Sequence, residues 1–332
     1  MLLKALFICS AAALLHTGSS VSESSFSSKK LEIEPIQGTG KDIYLFGGYY
    51  DGTQTKIAKF DRQTENVTVL DTKMPARYNH VSGEHKGSVI FAGGYQPNHV
   101  PLFYANGSFV EATTPAELTM FPAVDGTLTY NQQAKVGAVV GDKFYACGGL
   151  TSKDTNACFS YSFATGAWDT EPSVPLVGGT LRYGAAVAVG TSLYVVGGYL
   201  SGSSGVNNGY RLDTVTNQWS RIQSMPEPRY YCKGIPVKIS GGRDAILVCG
   251  GYHGGYRTDC FLYEVAENRW GRVGPLKHRR YGFGLIGCGG DVYAIGGVGD
   301  GLQSMEKFGL YGWELLDVKL PFRYHLHTLS CL

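Results

Sequence analysis

Short runs in which apolar residues alternate with small or polar ones recur along the chain. The clearest is Ala185-Ala186-Val187-Ala188-Val189-Gly190, leading into Leu193-Tyr194-Val195-Val196. A period of two places alternate side chains on opposite faces of a half-buried strand, whereas a helix needs spacings of three and four. An apolar, β-prone segment ends six times in a glycine pair, at Gly47-Gly48, Gly93-Gly94, Gly148-Gly149, Gly197-Gly198, Gly250-Gly251 and Gly296-Gly297. The spacings between pairs are 46, 55, 49, 53 and 46 residues. After each pair comes a second strand-like segment, then a turn and an apolar or aromatic residue: Val67, Phe109, Trp168, Trp219, Trp270 and Trp313. Self-similarity at such a period is the mark of a repeat architecture.

These units resemble the kelch repeat, in which a strand ending in Gly-Gly is followed by a Tyr-Asp-type strand and a Trp. Leu193-Tyr194-Val195-Val196-Gly197-Gly198 with Trp219, and Val248-Cys249-Gly250-Gly251 with Trp270, match well, and the likeness covers about residues 42 to 332. The first two copies depart from it in having Val67 and Phe109 where Trp is expected. The resemblance implies an all-β fold, a six-bladed kelch-type β-propeller with four-stranded blades packed radially around a channel. Gly-Gly would sit where backbones approach closely, and the Trp would fill the wedge between blades.

Five Arg-Tyr doublets are expected to open innermost strands: Arg77-Tyr78, Arg182-Tyr183, Arg229-Tyr230, Arg280-Tyr281 and Arg323-Tyr324, with Gln133-Ala134 in the third blade. No Gly-Gly follows the last doublet, so the C-terminal strand is expected to close the first blade, which hides the open edge of the ring. Leu31 to Ile36 competes for that slot, but contains Pro35 and no Arg-Tyr.

Composition agrees with short strands and tight turns: 46 Gly, 22 Tyr and 15 Phe against 17% charged residues in 332. A net charge of +2 without a dense basic run argues against nucleic acid. Met1 to Lys4, the apolar run Ala5 to Leu15 and the small residues Thr17 to Ser20 have the order of a signal peptide, too short to span a bilayer. The expected organisation is signal peptide 1–20, N-terminal linker 21–40 and propeller 41–332, in a secreted, extracellular chain with no membrane span. Sequons at Asn66 and Asn106 fit that route as glycosylation sites. Loss of Cys9 with the leader leaves seven cysteines. Cys147–Cys158 and Cys249–Cys260 share one spacing and fall on neighbouring strands, so each pair is expected to be a disulfide. Cys288 and Cys331 occupy equivalent inner-strand places and could be bridged or free; Cys232 is left over.

With strands named a to d from channel to rim, the Arg-Tyr doublets share a face with Tyr49, Tyr95, Tyr199 and Tyr252, which follow Gly-Gly, and both sequons fall on the opposite face. Nine tyrosines and five arginines at one channel mouth form a candidate ligand-binding surface for an extracellular protein or an acidic glycan. In kelch repeats an Arg at this position also serves structure, bonding loop carbonyls. No catalytic residue, metal or cofactor is expected. The alternative is a sugar-modifying enzyme, because galactose oxidase and the sialic acid mutarotases use kelch-type propellers. Its possible elements are His325-Leu326-His327, Tyr231-Cys232, and the pair Glu84 and His85, which are expected in a solvated turn.

Overall fold

The computed structural model describes residues 32–36, 38, 40–49, 52, 55–95, 102–111, 131–132, 135–149, 156–176, 181–200 and 205–332. The expected signal peptide, the first part of the linker and Gln133-Ala134 lie outside them. The regular elements are antiparallel β-strands arranged as six blades. From channel to rim, blade one is Thr328–Cys331, Asp42–Phe46, Lys56–Asp61 and Asn66–Lys73; blade two is Val81–His85, Ser88–Ala92, Leu102–Ala105 and Ser108–Glu111. Blade three is Val136–Val140, Lys143–Cys147, Cys158–Ser162 and Ala167–Glu171; blade four is Ala185–Val189, Ser192–Val196, Gly209–Asp213 and Gln218–Ile222. Blade five is Lys233–Ile239, Arg243–Cys249, Cys260–Glu264 and Arg269–Val273; blade six is Gly284–Cys288, Asp291–Ile295, Ser304–Gly309 and Gly312–Lys319. Each inner strand touches the inner strands of both neighbours, so the ring is closed.

A four-stranded sheet has two faces to bury, and the ring buries them in six apolar clusters, one per wedge between adjacent blades. Trp270 and Trp313 are buried in two of these, and Val67, Phe109, Trp168 and Trp219 pack against the equivalent places in the others. The indoles of Trp219 and Trp270 also donate to the carbonyls of Pro172 and Gln223 in the preceding blade, each at 2.8 Å.

The glycine pairs fasten one blade to the next. The second glycine donates its N–H to a loop carbonyl of the following blade: Gly48 to Arg77, Gly149 to Leu181, Gly198 to Arg229, Gly251 to Arg280 and Gly297 to Tyr324, at 2.6 to 2.9 Å. A Cβ on the first glycine of those pairs would lie 2.4 to 2.8 Å from the same carbonyl, and its φ of 59 to 68° is left-handed. Both facts exclude a side chain.

The C-terminal strand closes blade one, Cys331 pairing with Ile43 and Thr328 with Phe46. Disulfides join Cys147 to Cys158 and Cys249 to Cys260 across strands b and c, and Cys288 to Cys331 between inner strands of blades six and one. Cys232 is free and buried. Within the stretch expected as linker, Ile33–Pro35 is a strand. It takes neither the closing slot nor a rim position, and pairs instead with the channel-side edge of Lys233–Ile239. From there the chain passes blade six, where the Gly289 N–H donates to the Gly38 carbonyl at 2.7 Å, and enters blade one.

Candidate functional site

The inter-blade bond from the second glycine gives a common register for the loops that lead into the inner strands. Its acceptors are Arg77, Leu181, Arg229, Arg280 and Tyr324, all buried. The Arg-Tyr doublets therefore occupy three registers rather than one: Arg77, Arg229 and Arg280 share the first, Arg182-Tyr183 sits one place later, and Arg323-Tyr324 one place earlier. The doublets also precede the inner strands instead of opening them, since those strands begin at Val81, Ala185, Lys233, Gly284 and Thr328.

This register decides which side chains meet solvent. Arg77, Arg229, Arg280 and Tyr324 point into the molecule, at 4%, 0%, 0% and 0% exposure, so these four of the expected binding residues do not face a ligand. Their place beside the glycine pair is the cause, because the guanidinium groups satisfy carbonyls that the sharp turn leaves open. Arg229 donates to the carbonyls of Gly250 and Asp259 at 3.2 and 3.1 Å. Arg280 donates to the Gly296 carbonyl at 2.7 Å and to Glu306, itself fully buried, at 2.7 Å. In blade three the same service comes from Lys135, whose ammonium donates to the Gly148 carbonyl at 2.8 Å; burial lowers its pKa to about 7.

The next position outward is partly exposed and carries Tyr78, Arg182, Tyr230, Tyr281 and His325. After it come Asn79, Tyr183, Tyr231, Gly282 and Leu326, all at φ of 55 to 58°. Their backbones hand hydrogen bonds around the channel mouth: Asn79 N–H to Leu326, Leu326 to Gly282, Gly282 to Tyr231 and Tyr231 to Tyr183, at 2.7 to 3.2 Å. That annulus fixes where the side chains of the face stand.

On blades four to six the annulus supports a continuous tyrosine surface. Tyr183 stacks on Tyr231 with ring centroids 4.0 Å apart, and Tyr231 touches Tyr230 and Tyr281 at 5.5 and 5.3 Å. Tyr230 lies 5.3 Å from both Tyr199 and Tyr252, and Tyr256 is 5.8 Å from Tyr252 and 5.2 Å from Tyr281. Tyr49 and Tyr78 form a smaller patch at 4.9 Å, with His325 against Tyr49. Burial raises the pKa of Tyr230, Tyr231 and Tyr281, so these phenols stay neutral donors at physiological pH. Of the expected residues, Tyr183, Tyr199, Tyr230, Tyr252 and Tyr281 come together here, whereas Arg323 is exposed beyond the register; Tyr95 pairs with Asn131, its side chain lying outside the description. Tyr231 and Tyr256 were not in the expected set. The doubled tyrosine in Arg229-Tyr230-Tyr231, and Tyr256 after Gly254-Gly255, are the signals that mark them.

Charges bordering this surface are already matched. Arg257 and Arg272 share Glu227 and Asp259, at 2.6 to 3.0 Å, and Arg279 pairs with Asp300 at 2.9 Å. Asn66 and Asn106 are exposed at turns between strands c and d, Asn106 at φ 51° beside Gly107. Glu84 and His85 are the end of an inner strand rather than a solvated turn. Glu84 lines the channel and accepts from the Cys331 N–H at 3.3 Å, while His85 stacks on Phe163 at 4.0 Å. Among the described residues no three His, Cys, Asp or Glu side chains converge on a common metal position, and no helix is long and apolar enough to cross a membrane.

The profile of the KLHDC2/KLHL20/DRC7 Kelch-repeats domain matches residues 119–297. Kelch-like protein 23 of Homo sapiens is 24% identical over 307 residues, covering 87% of this chain and 50% of that protein. Its counterpart in Mus musculus is 28% identical over 317 residues with the same coverage, and Kelch-like protein 26 of Danio rerio is 32% identical over 136 residues, 39% of this chain and 22% of that protein. The chain thus spans about half the length of the Kelch-like 23 relatives that it matches. A propeller of this kind suggests a protein-binding module. Six glycine-pair spokes in a closed ring and a family profile that covers more than half of the sequence lead to one conclusion: the chain belongs to the kelch-repeat family.

Proposed function

We propose that the chain is a secreted binding module that takes a protein partner on the tyrosine surface of blades four to six. The observation that carries this reading is the unbroken ring-to-ring contact from Tyr183 and Tyr199 through Tyr230 and Tyr252 to Tyr256. Tyrosine offers large contact area for little lost side-chain entropy, together with a hydroxyl for orientation. A protein suits the surface better than an acidic glycan, because Arg77, Arg229 and Arg280 are buried and Arg257, Arg272 and Arg279 at its border are matched by carboxylates. Secretion is supported by the N-terminal leader pattern, by three disulfides, and by exposed sequons on the far face, away from the proposed partner.

The test is affinity capture from extracellular fluid with the full chain made in a secretory host, against Tyr252→Ala/Tyr256→Ala. Loss of a specific protein in the variant, with unchanged circular dichroism, supports the surface; equal capture removes it. A second reading, a sugar-modifying enzyme, has one observation behind it: Glu84 lines the channel, where partial desolvation holds its carboxyl above the usual range although the residue remains exposed. Unchanged anomer exchange of free sugars by NMR, with wild type and Glu84→Gln alike, eliminates that activity.

A further inference from the structure

The channel carries chemistry that the tyrosine surface does not use. Its half nearer that surface is a cavity of about 190 Å³, smaller than the pockets that hold drug-sized ligands. Lys135, Lys233, His80 and His327 line it, together with Thr328 and Ser82, and no aspartate or glutamate does.

Lys233 begins the inner strand of blade five, and among the described residues no carboxylate or hydrogen-bond acceptor pairs with its ammonium. Across the channel in blade one, His327 is 1% exposed with both ring nitrogens unpartnered. His80 of blade two meets the Thr328 hydroxyl through Nε2 at 2.9 Å, and its Nδ1 has no partner. Room for His327 depends on Gly284, where a Cβ would come within 2.9 Å of the imidazole Nε2. Burial, together with the charge on Lys233, holds both imidazoles below their usual range, so each keeps one N–H donor. A half-buried cation without a counter-ion and buried imidazole nitrogens without partners are costly arrangements that one ligand would relieve.

We propose that this chamber is a binding site for a small oxyanion, paired with the Lys233 ammonium and hydrogen-bonded by His327, His80 and Thr328. An oxyanion has several acceptor oxygens, which suits donors arriving from blades five, one and two. The chamber lies beneath the partner surface and shares Tyr183 and Tyr231 in its wall, but its anion contacts are other residues, so either can fail without the other.

Isothermal titration calorimetry of the full chain at fixed ionic strength, with sodium sulfate and separately with inorganic phosphate, tests it. The expected result is saturable binding of at least one of them at one site per chain, weakened at least tenfold by Lys233→Met and measurably by His327→Phe. Tyr252→Ala and the surface change Lys307→Met should leave it unchanged. Lys233→Met removes a half-buried cation and is expected to fold with a melting temperature no lower than wild type in anion-poor buffer; if it does not fold, Lys233→Gln and Thr328→Val take its place. No saturable heat with either anion, or equal binding by the Lys233 and His327 variants, overturns the proposal.

Discussion

Arg280 shows what the buried cations of this ring do. Its guanidinium and the Glu306 carboxylate are both fully buried, and the carboxylate also accepts the N–H groups of Lys277 and His278 at 2.7 and 3.0 Å. Replacing one member strands the other charge, so Arg280→Met should cost about 3 to 5 kcal/mol in urea unfolding. Arg323→Met, on an exposed residue, should change stability by less than about 1 kcal/mol. The histidines give a second expectation. His327 is held neutral, with its pKa lowered to about 3, and His325 is lowered to about 4. A folded-state pKa below the unfolded value near 6.5 means that the unfolded chain takes up the proton first as pH falls. The contribution is therefore present above about pH 6.5 and is lost on the way down to the folded values, about 2 kcal/mol for His327 by pH 5. Melting temperature should fall between pH 7 and pH 5, and His327→Phe should flatten that slope. The sequence carried a sign of which arginines go inside: the distance to the next Gly-Gly is 16 residues from Arg77 and Arg280 but 15 from Arg182. That single residue marks the change of register, which exchanges a buried anchor for a partly exposed side chain. The doublet pattern hides it because Leu181 and Tyr324 do the anchoring without being arginine.

Strand pairing was legible where side chains alternate and ambiguous where only backbone decides. Glycine pairs, alternating runs and wedge aromatics located the four strands of most blades, and the unmatched last doublet located the closing strand, as the Thr328–Cys331 pairing with Asp42–Phe46 shows. Ile33–Pro35 was readable as a possible strand but not as one on the channel edge of blade five, because an unpaired edge accepts a backbone without demanding a particular side chain. The Cys288–Cys331 bridge depended on the distance between inner strands of different blades, which spacing along the chain does not contain; in the folded ring their Cα atoms are 5.5 Å apart. This bridge spans 43 residues and joins the chain's last strand to blade six. Loop-closure entropy puts its contribution at about 4 kcal/mol, against about 3 for the 11-residue bridges within blades three and five. Cys288→Ser/Cys331→Ser should therefore lower the unfolding free energy more than Cys147→Ser/Cys158→Ser. Equal effects in urea titrations would mean that the closing strand gains nothing special from its covalent tie.

At the scale of the whole ring the two ends of the channel and the sides of its mouth are unlike. The tyrosines gather over blades four to six, while blade one contributes His325 and blade two Tyr78 and Asn79 to the other side. A partner that followed ring symmetry would touch all blades equally; this surface favours one seated off-centre. The neighbouring charges set how that contact should respond to salt. Screening weakens interactions between unpaired exposed charges, and here Arg257, Arg272 and Arg279 are already matched by Glu227, Asp259 and Asp300. Binding through tyrosine rings should therefore change by less than about threefold in Kd between about 50 mM and about 500 mM salt. An acidic glycan would have to open those ion pairs, and its affinity would fall steeply over the same range. Surface plasmon resonance across that salt series separates the two, and a steep loss of affinity would move the contact from the tyrosines to the arginines that border them.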